Sequence, residues 1–509
     1  MQRYLLGIDV GTSGCRAGLF DTKGNLLGLA AHGYPTFRPH PTWAEQNPAD
    51  WWEAAKLSIR EVLATACVAP SAIAGIGAAG QTNGHVLLDS SGRVLLPAII
   101  WEDRRAIEEA RWIQQKLRRI DVVKYLGTRL PIDATTLPAR MLWLTRNQAE
   151  IIAQTWVMLQ PKDYLNYQLT GSAAVDRASC KTLINLCENR FYDEYFELLG
   201  LPRRLLPVSY EPHGVIGKVS RVAAEETGLA PGTPVVAGCI DAWCGILGSG
   251  VSVRGLASDV AGSSEVVTVF SDRPADTTRL NVIPLFDGYI LNGPMQAGGD
   301  SFRWFKENFA PGTPLEGLPG DLHGYDLLNW AAETAPPGSG GLVFLPYLQG
   351  ERAPIWDPFA SGTLVGLTKS HRFESVTRSI LEGVAYAVRH VLETASEVGN
   401  LEVSEVRVSG NGASSRVWNQ IKADVTGRLV VIPEQLETGV LGAALVAGVG
   451  TGIYSSYAEA TAQAVRIREV YEPNPVLHDL YSELYDVYRK VYTRLRTVYP
   501  QLNKTLKGG

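Results

Sequence analysis

Tyr4-Leu5-Leu6-Gly7-Ile8-Asp9-Val10-Gly11-Thr12-Ser13-Gly14 opens the chain with a short apolar run, a carboxylate near its end and a turn of small residues. The run reads as a buried strand entering a tight turn. Residues 15–20 then read as a second strand, and residues 26–31, after the turn Asp21-Thr22-Lys23-Gly24-Asn25, as a third. The opening is therefore a three-stranded antiparallel meander. Residues 51–65 carry apolar side chains at helical spacing, with Asp50 expected as the N-cap and Glu53 as its capping-box partner. Residues 73–79 form a small-residue strand, and strands alternating with long helices predict an α/β fold.

The opening pattern recurs. Leu256-Ala257-Ser258-Asp259-Val260 leads into Ala261-Gly262-Ser263-Ser264 and then the apolar run 265–270, so strand, small-residue turn, strand is used twice. Two related halves follow as an expectation, divided near Gly248-Ser249-Gly250. The domains are expected at 1–250 and 251–475, with a C-terminal helix within 476–509 packing back on the first. Residues 311–320 and 335–341, rich in Pro and Gly, read as surface connections.

At 509 residues the chain exceeds the roughly 250–300 at which one core stops growing, which also predicts two domains. Its formal charge of −5 includes no basic stripe, which argues against a nucleic-acid partner. No apolar run reaches the about 18–20 residues of a membrane span, and the N-terminus enters a strand at once, so a cytoplasmic protein without a membrane partner is expected. The six cysteines include no C-x-x-C pair and read as reduced, buried thiols.

Asp9-x-Gly11-Thr12-Ser13 sets a carboxylate beside consecutive amides and hydroxyls, a concave anion site suited to phosphate oxygens. The carboxylate can hold Mg²⁺ through waters. An ordinary strand end with a glycine turn reads equally well from these residues alone. Residues 262–264 supply a second such loop, so one polyphosphate could be held by both. A third element, Ser409-Gly410-Asn411-Gly412-Ala413, leads from a strand into the helix Arg416–Thr426, and its glycines leave room for a base or ribose. Asp259, inside its strand, reads as structural.

The chain resembles the FGGY carbohydrate kinases of the actin-like ATPase superfamily. The resemblance is carried by residues 7–13, Gly238-Cys239-Ile240-Asp241-Ala242, Gly298-Gly299-Asp300, residues 362–367 with 381–385, and residues 409–413 through Asp424. Residues 40–46, 80–84 and 345–354 are most similar to pentulose kinases, xylulokinases above all. The resemblance implies two actin-like (ribonuclease H-like) domains with a catalytic cleft between them, and ATP and Mg²⁺ as reaction partners. It implies ATP contacts at Gly11, Thr12, Ser13, Gly262, Ser263, Ser264, Gly410, Gly412, Ala413 and Asn419, and metal contact at Asp9.

A sugar hydroxyl must lose its proton as the γ-phosphoryl arrives, so a carboxylate base is required. Asp241, after the apolar strand 235–238, suits that role, and the resemblance assigns the base there; as a residue alone it also reads as the N-cap of 242–247. A neutral sugar or polyol needs hydrogen-bonding side chains beside an aromatic wall. Gln81, Thr82 and Asn83, Trp43 and Glu45, and residues 101–105 are candidates, with the resemblance placing the sugar against Thr82-Asn83 and near Asp103. Trp43 and Trp101 read otherwise as core residues. Thr82-Asn83 and Ala242 depart from the Met-His and Asp-Asn usual in xylulokinases, and Arg140 stands where the family has a lysine. Erythritol, L-xylulose or small signalling carbohydrates therefore stay open as acceptors. A non-kinase actin-like ATPase is the alternative class, and a homodimer is compatible with the chain.

Overall fold

A computed structural model describes residues 2–310 and 322–506. The chain divides into two units. The first comprises Met1–Ser252, Ile283–Asp287 and Glu437–Val465, and the second Val253–Val282, Gly288–Leu436 and Arg466–Gly509. No helix among the described residues is long and apolar enough to cross a membrane.

In the first unit, β1 (Tyr4–Val10), β2 (Gly14–Asp21) and β3 (Leu26–Gly33) form the expected meander. Helix α1 (Pro48–Ala66) leads to β4 (Ile73–Gly80), which lies parallel to β1. After α2 (Pro161–Thr170) come β5 (Val215–Lys218), β6 (Pro234–Val236), β7 (Cys239–Ile240) and α3 (Asp241–Gly248). The sheet order is β5-β6-β4-β1-β2-β3, with β7 also paired to β4. The N-cap of α1 is Asn47 rather than Asp50: its side chain accepts the Ala49 amide, and Pro48 at the first helical position is already set to helical φ. Asp50 falls in the first turn instead.

The chain returns to this unit with the helix Thr438–Gly450, which is apolar on every face and buried over residues 440–448. It packs so closely on the sheet that a Cβ on Gly7 would lie 2.0 Å from the Val440 carbonyl oxygen, and one on Gly77 2.0 Å from that of Ala443. Glycine in β1 and β4 is thus required by the approaching backbone.

The second unit repeats the plan. Strands β8 (Leu256–Ala261), β9 (Glu265–Ser271) and β10 (Gly288–Pro294) form a meander; after α4 (Phe373–Gly399), β11 (Glu405–Ser409) lies parallel to β8. Helix α5 (Arg416–Thr426), β12 (Leu429–Pro433), β13 (Ile467–Tyr471) and α6 (Pro475–Leu495) complete it. Six of the seven strands of its sheet run in the order β10-β9-β8-β11-β12-β13. In both units a meander is followed outward by two parallel strands and an antiparallel edge strand.

Helix α6, expected on the first domain, packs on the second. Tyr481, Tyr485 and Tyr488 form a buried stripe, and their hydroxyls find partners there: Tyr481 donates to Glu382 at 2.7 Å and Tyr485 to Glu393 at 2.9 Å. Buried phenols need such partners, and α4 supplies both carboxylates. Of the expected surface connections, 311–320 lies outside the described residues. The other, 335–341, is partly buried, because the Gly338 amide and the Ser339 hydroxyl donate to Glu382 at 3.0 and 2.7 Å.

Candidate active site

Strand register assembles the first unit's site. Val10 pairs with Gly80, and Gly80 with Ile240, so β1, β4 and β7 end level. Residues 11–13, residues 81–83 and Asp241 consequently leave one edge of the sheet, the carboxyl edge at which open α/β sheets bind ligands.

Asp9, at the end of β1, is buried, and its Oδ1 has no partner. The start of the returning helix lies beside it: a Cβ on Gly439 would be 3.3 Å from Asp9 Oδ2. Burial, then the charge of Asp241, raises the pKa of Asp9, with Arg16 acting against them. In the following turn, the Gly11 amide donates to the Gly14 carbonyl at 3.1 Å, while Trp101 Nε1 donates to Thr12 Oγ1 at 2.8 Å. No hydrogen bond among the described residues uses the amides of Thr12 and Ser13. These amides suit an anion.

At the end of β4, Gln81 ties the two turns together. Its amide nitrogen donates to the Gly11 carbonyl at 3.3 Å and to Gln46 Oε1 at 2.9 Å, leaving its own Oε1 unbonded. Thr82 Oγ1 and Asn83 Oδ1 are likewise buried without a partner. Asn83 holds the left-handed backbone at φ 58°, fixed by its amide donating to Gln160 Oε1 at 3.0 Å. Three oxygens left unsatisfied so close together in sequence are unusual for a protein interior.

Asp103 does not offer its carboxylate to a ligand. It is fully buried and accepts from the Ala44 amide at 2.7 Å and from the Arg105 backbone, Nε and Nη2 at 2.9, 2.9 and 2.7 Å. The sequence expectation of sugar contact is corrected: Asp103 holds the loop that carries Trp43 and Glu45. Arg105 also pairs with Glu45 at 2.6 Å and lies over the Trp43 ring at 3.7 Å. Trp101, an acceptor candidate whose alternative was a core position, is 41% exposed. Arg140 is fully buried and donates to the carbonyls of Asn83, Trp101 and Asp103 at 2.6, 2.8 and 3.1 Å, clamping the loops at 83 and 101–103.

Asp241 is the first residue of α3 rather than its cap, the N-cap position being Ile240. Its Oδ1 accepts the Ala242 amide at 2.7 Å. Burial raises its pKa, while that hydrogen bond and the cation of Lys181 act against the rise. A carboxylate held protonatable near neutrality is the condition a general base requires. Sequence reasoning passed over Lys181, which lies in an irregular turn with no motif around it, and Gly439, separated from Asp9 by most of the chain.

In the second unit Val260 pairs with Ser409, so β8 and β11 end level too. In the first turn Gly262 donates to the Ser264 carbonyl at 3.1 Å, and the Ser263 carbonyl accepts the Gly298 and Asp300 amides, each at 3.0 Å. Gly410 and Gly412 are required by close approach: a Cβ on either would lie 2.8 Å from the Ala261 carbonyl oxygen and 2.6 Å from the Ala261 Cβ, respectively. Asn419 donates to the Ala413 carbonyl at 2.8 Å and keeps Oδ1 buried and unbonded. Asp259 pairs with buried Lys422 at 2.6 Å, and Glu265 bonds the same ammonium.

Comparison with known proteins converges on one group. Residues 4–248 match the N-terminal domain, and residues 257–451 the C-terminal domain, of the FGGY family of carbohydrate kinases. The chain is 29% identical to the xylulose kinase of Bacillus subtilis over 95% of its own length and 97% of that protein. It is 30% identical to the gluconokinase of the same organism over 90% and 89%, respectively. The crystal structure of xylulose kinase from Rhodospirillum rubrum matches with a TM-score of 0.87 at 30% identity, covering 98% of this chain and all of that one. The chain, built of two actin-like domains, therefore belongs to the FGGY family of carbohydrate kinases, phosphotransferases that use ATP.

Proposed function

We propose that this kinase transfers the γ-phosphoryl group of ATP to a hydroxyl of a pentulose, D-xylulose first, with Asp241 as general base. The observation that carries the reading is the set of buried, unbonded oxygens Gln81 Oε1, Thr82 Oγ1 and Asn83 Oδ1, on the strand end level with the raised carboxylate of Asp241. A neutral polyol supplies the hydroxyl hydrogens such oxygens lack. Full-length similarity to xylulose kinases supports the choice among polyols.

In the reaction the acceptor O–H gives its proton to the Asp241 carboxylate, and its oxygen bonds to the γ-phosphorus. The bond from that phosphorus to the β–γ bridging oxygen breaks, and ADP leaves. The free amides of Thr12 and Ser13, residues 262–264 and residues 410–413 are the proposed nucleotide contacts, with Asn419 fixing the Ala413 turn. Asp9 fits Mg²⁺: its unbonded Oδ1 offers the single carboxylate oxygen that a largely water- and phosphate-bound magnesium takes. When bound, the ion supplies positive charge to the phosphate oxygens. A sugar acid is the second reading, favoured by an unpaired lysine near the base.

The test is sugar-dependent ADP release with Mg-ATP on D-xylulose, D-ribulose, D-fructose, D-gluconate, erythritol and glycerol. The highest kcat/KM is expected on D-xylulose. Highest kcat/KM on erythritol or glycerol would overturn the pentulose assignment.

A further inference from the structure

Lys181, whose charge opposes the rise of the Asp241 pKa, has no contact assigned to it above. Its turn follows the short strand Ala174–Asp176 and is fixed at both ends: Ser179 donates its amide to Asp176 Oδ1 at 2.9 Å, and Ile184 donates to the Cys180 carbonyl at 3.2 Å. A single side-chain amide couples this turn to the acceptor strand. Gln160 Nε2 donates to the Ser179 carbonyl at 2.9 Å, while Gln160 Oε1 accepts the Asn83 amide at 3.0 Å. The Lys181 ammonium lies 5.3 Å from the centroid of the Trp243 ring, two residues beyond Asp241.

Lys162 in α2 and Lys422 in α5 are fully buried and neutralised. Lys162 bonds Asp163 and Asp176, and Lys422 bonds Asp259 and Glu265. Lys181, partly buried, has no ion pair within 4.0 Å and no hydrogen bond among the described residues. Burial pulls its pKa down. An ammonium taken from water without a partner is costly unless a ligand completes it.

The neighbouring polar atoms show which kind of ligand. Trp243 Nε1 and Thr182 Oγ1 are buried without partners. The Lys181 ammonium and the Trp243 indole N–H beside it can only donate, whereas the free oxygens of Gln81 and Asn83 can only accept and the Thr82 hydroxyl can do either. Such oxygens take hydroxyl hydrogens; groups that can only donate are completed by an acceptor oxygen, and a charged ammonium most strongly by one carrying partial or full negative charge, as a carbonyl or carboxylate oxygen does.

We infer that Lys181 is a specificity-determining residue of the acceptor site, its ammonium donating to an sp² oxygen of the acceptor. That oxygen is the carbonyl of an open-chain ketose or one oxygen of a sugar-acid carboxylate. The inference rests on the assignment of residues 81–83 and Asp241 to the acceptor.

The test compares wild type with Lys181→Met, which keeps length and the contact with Trp243, and with Lys181→Arg. The quantities are kcat/KM for D-xylulose and for D-gluconate, and the inhibition constant of xylitol, which has the hydroxyls but no sp² oxygen. Lys181→Met is expected to lose on the order of 100-fold on the acceptor that uses the contact, with xylitol inhibition and the KM for ATP unchanged and Lys181→Arg recovering part of the loss. Loss on D-xylulose identifies the ketose carbonyl; loss on D-gluconate identifies the carboxylate. Equal losses on both acceptors and on xylitol would make the residue structural, and no loss would make it idle; either overturns the inference. A wild-type chain that turned over only alditols would overturn the pentulose reading and this one together, whereas an unimpaired Lys181→Met acting on D-xylulose would overturn this one alone.

Discussion

At the scale of single residues, the loops proposed to take the acceptor are held by a buried arginine. Arg140 donates to three carbonyls from the loops at 83, 101 and 103, and the planar guanidinium is what allows one side chain to reach all three. Arg140→Lys keeps the charge but cannot reproduce that fork. The expected result is an acceptor KM raised about tenfold, equivalent to about 1.4 kcal/mol, with the KM for ATP unchanged; steady-state kinetics with each substrate varied checks it. The same arginine helps keep His85 neutral. Burial first, then the Arg140 charge, lowers the His85 pKa from 6.5 to about 3. Because the folded state binds the proton less well than the unfolded chain, stability contributed by neutral His85 is present above pH 6.5 and lost as pH falls toward 3. By pH 5 the loss is about 2 kcal/mol. Thermal unfolding between pH 7.5 and 5 should therefore fall more steeply for wild type than for His85→Gln.

At the scale of elements, the returning helix Thr438–Gly450 decides how tightly the site is built. It meets β1 and β4 only where glycine admits its backbone, and it brings Gly439 against Asp9. Gly7→Ala forces a Cβ to 2.0 Å from the Val440 carbonyl oxygen. Overpacking of this kind costs about 1–3 kcal/mol or more, and a lowered urea midpoint at unchanged m-value would show it. The strand–turn–strand openings were legible because apolar runs ending in small residues have few other readings. The returning helix was not, because residues 440–449, apolar on every side, show that a helix is buried without showing which sheet buries it. The tyrosine stripe of α6 misled in the same way: Tyr481, Tyr485 and Tyr488 announce a packed face, yet only the carboxylates of Glu382 and Glu393 name the partner. Asp103 was misplaced because a carboxylate beside Trp101 reads the same whether it faces a sugar or is saturated by Arg105.

At the scale of the whole molecule, one plan is used twice. Each unit ends its first strand and the parallel neighbour at the same level, and the turns after those ends carry the candidate chemistry: 11–13 and 81–83 in one, 262–264 and 410–413 in the other. The first unit is completed by Glu437–Val465, far from the rest of it in sequence. A fragment ending at residue 252 would leave the faces of Gly7 and Gly77 uncovered, and it should show no cooperative thermal transition by circular dichroism. Family membership establishes the phosphotransferase chemistry, and the level strand ends bring residues 11–13, 81–83 and Asp241 to one sheet edge. Within that account Asp241 carries the proton. The most direct measurement is the kcat of Asp241→Asn on the best acceptor with saturating Mg-ATP, alongside ATP affinity and melting temperature. The account predicts a fall of about 10²–10⁴-fold with affinity and melting temperature essentially unchanged; a variant that keeps most of its turnover would contradict it.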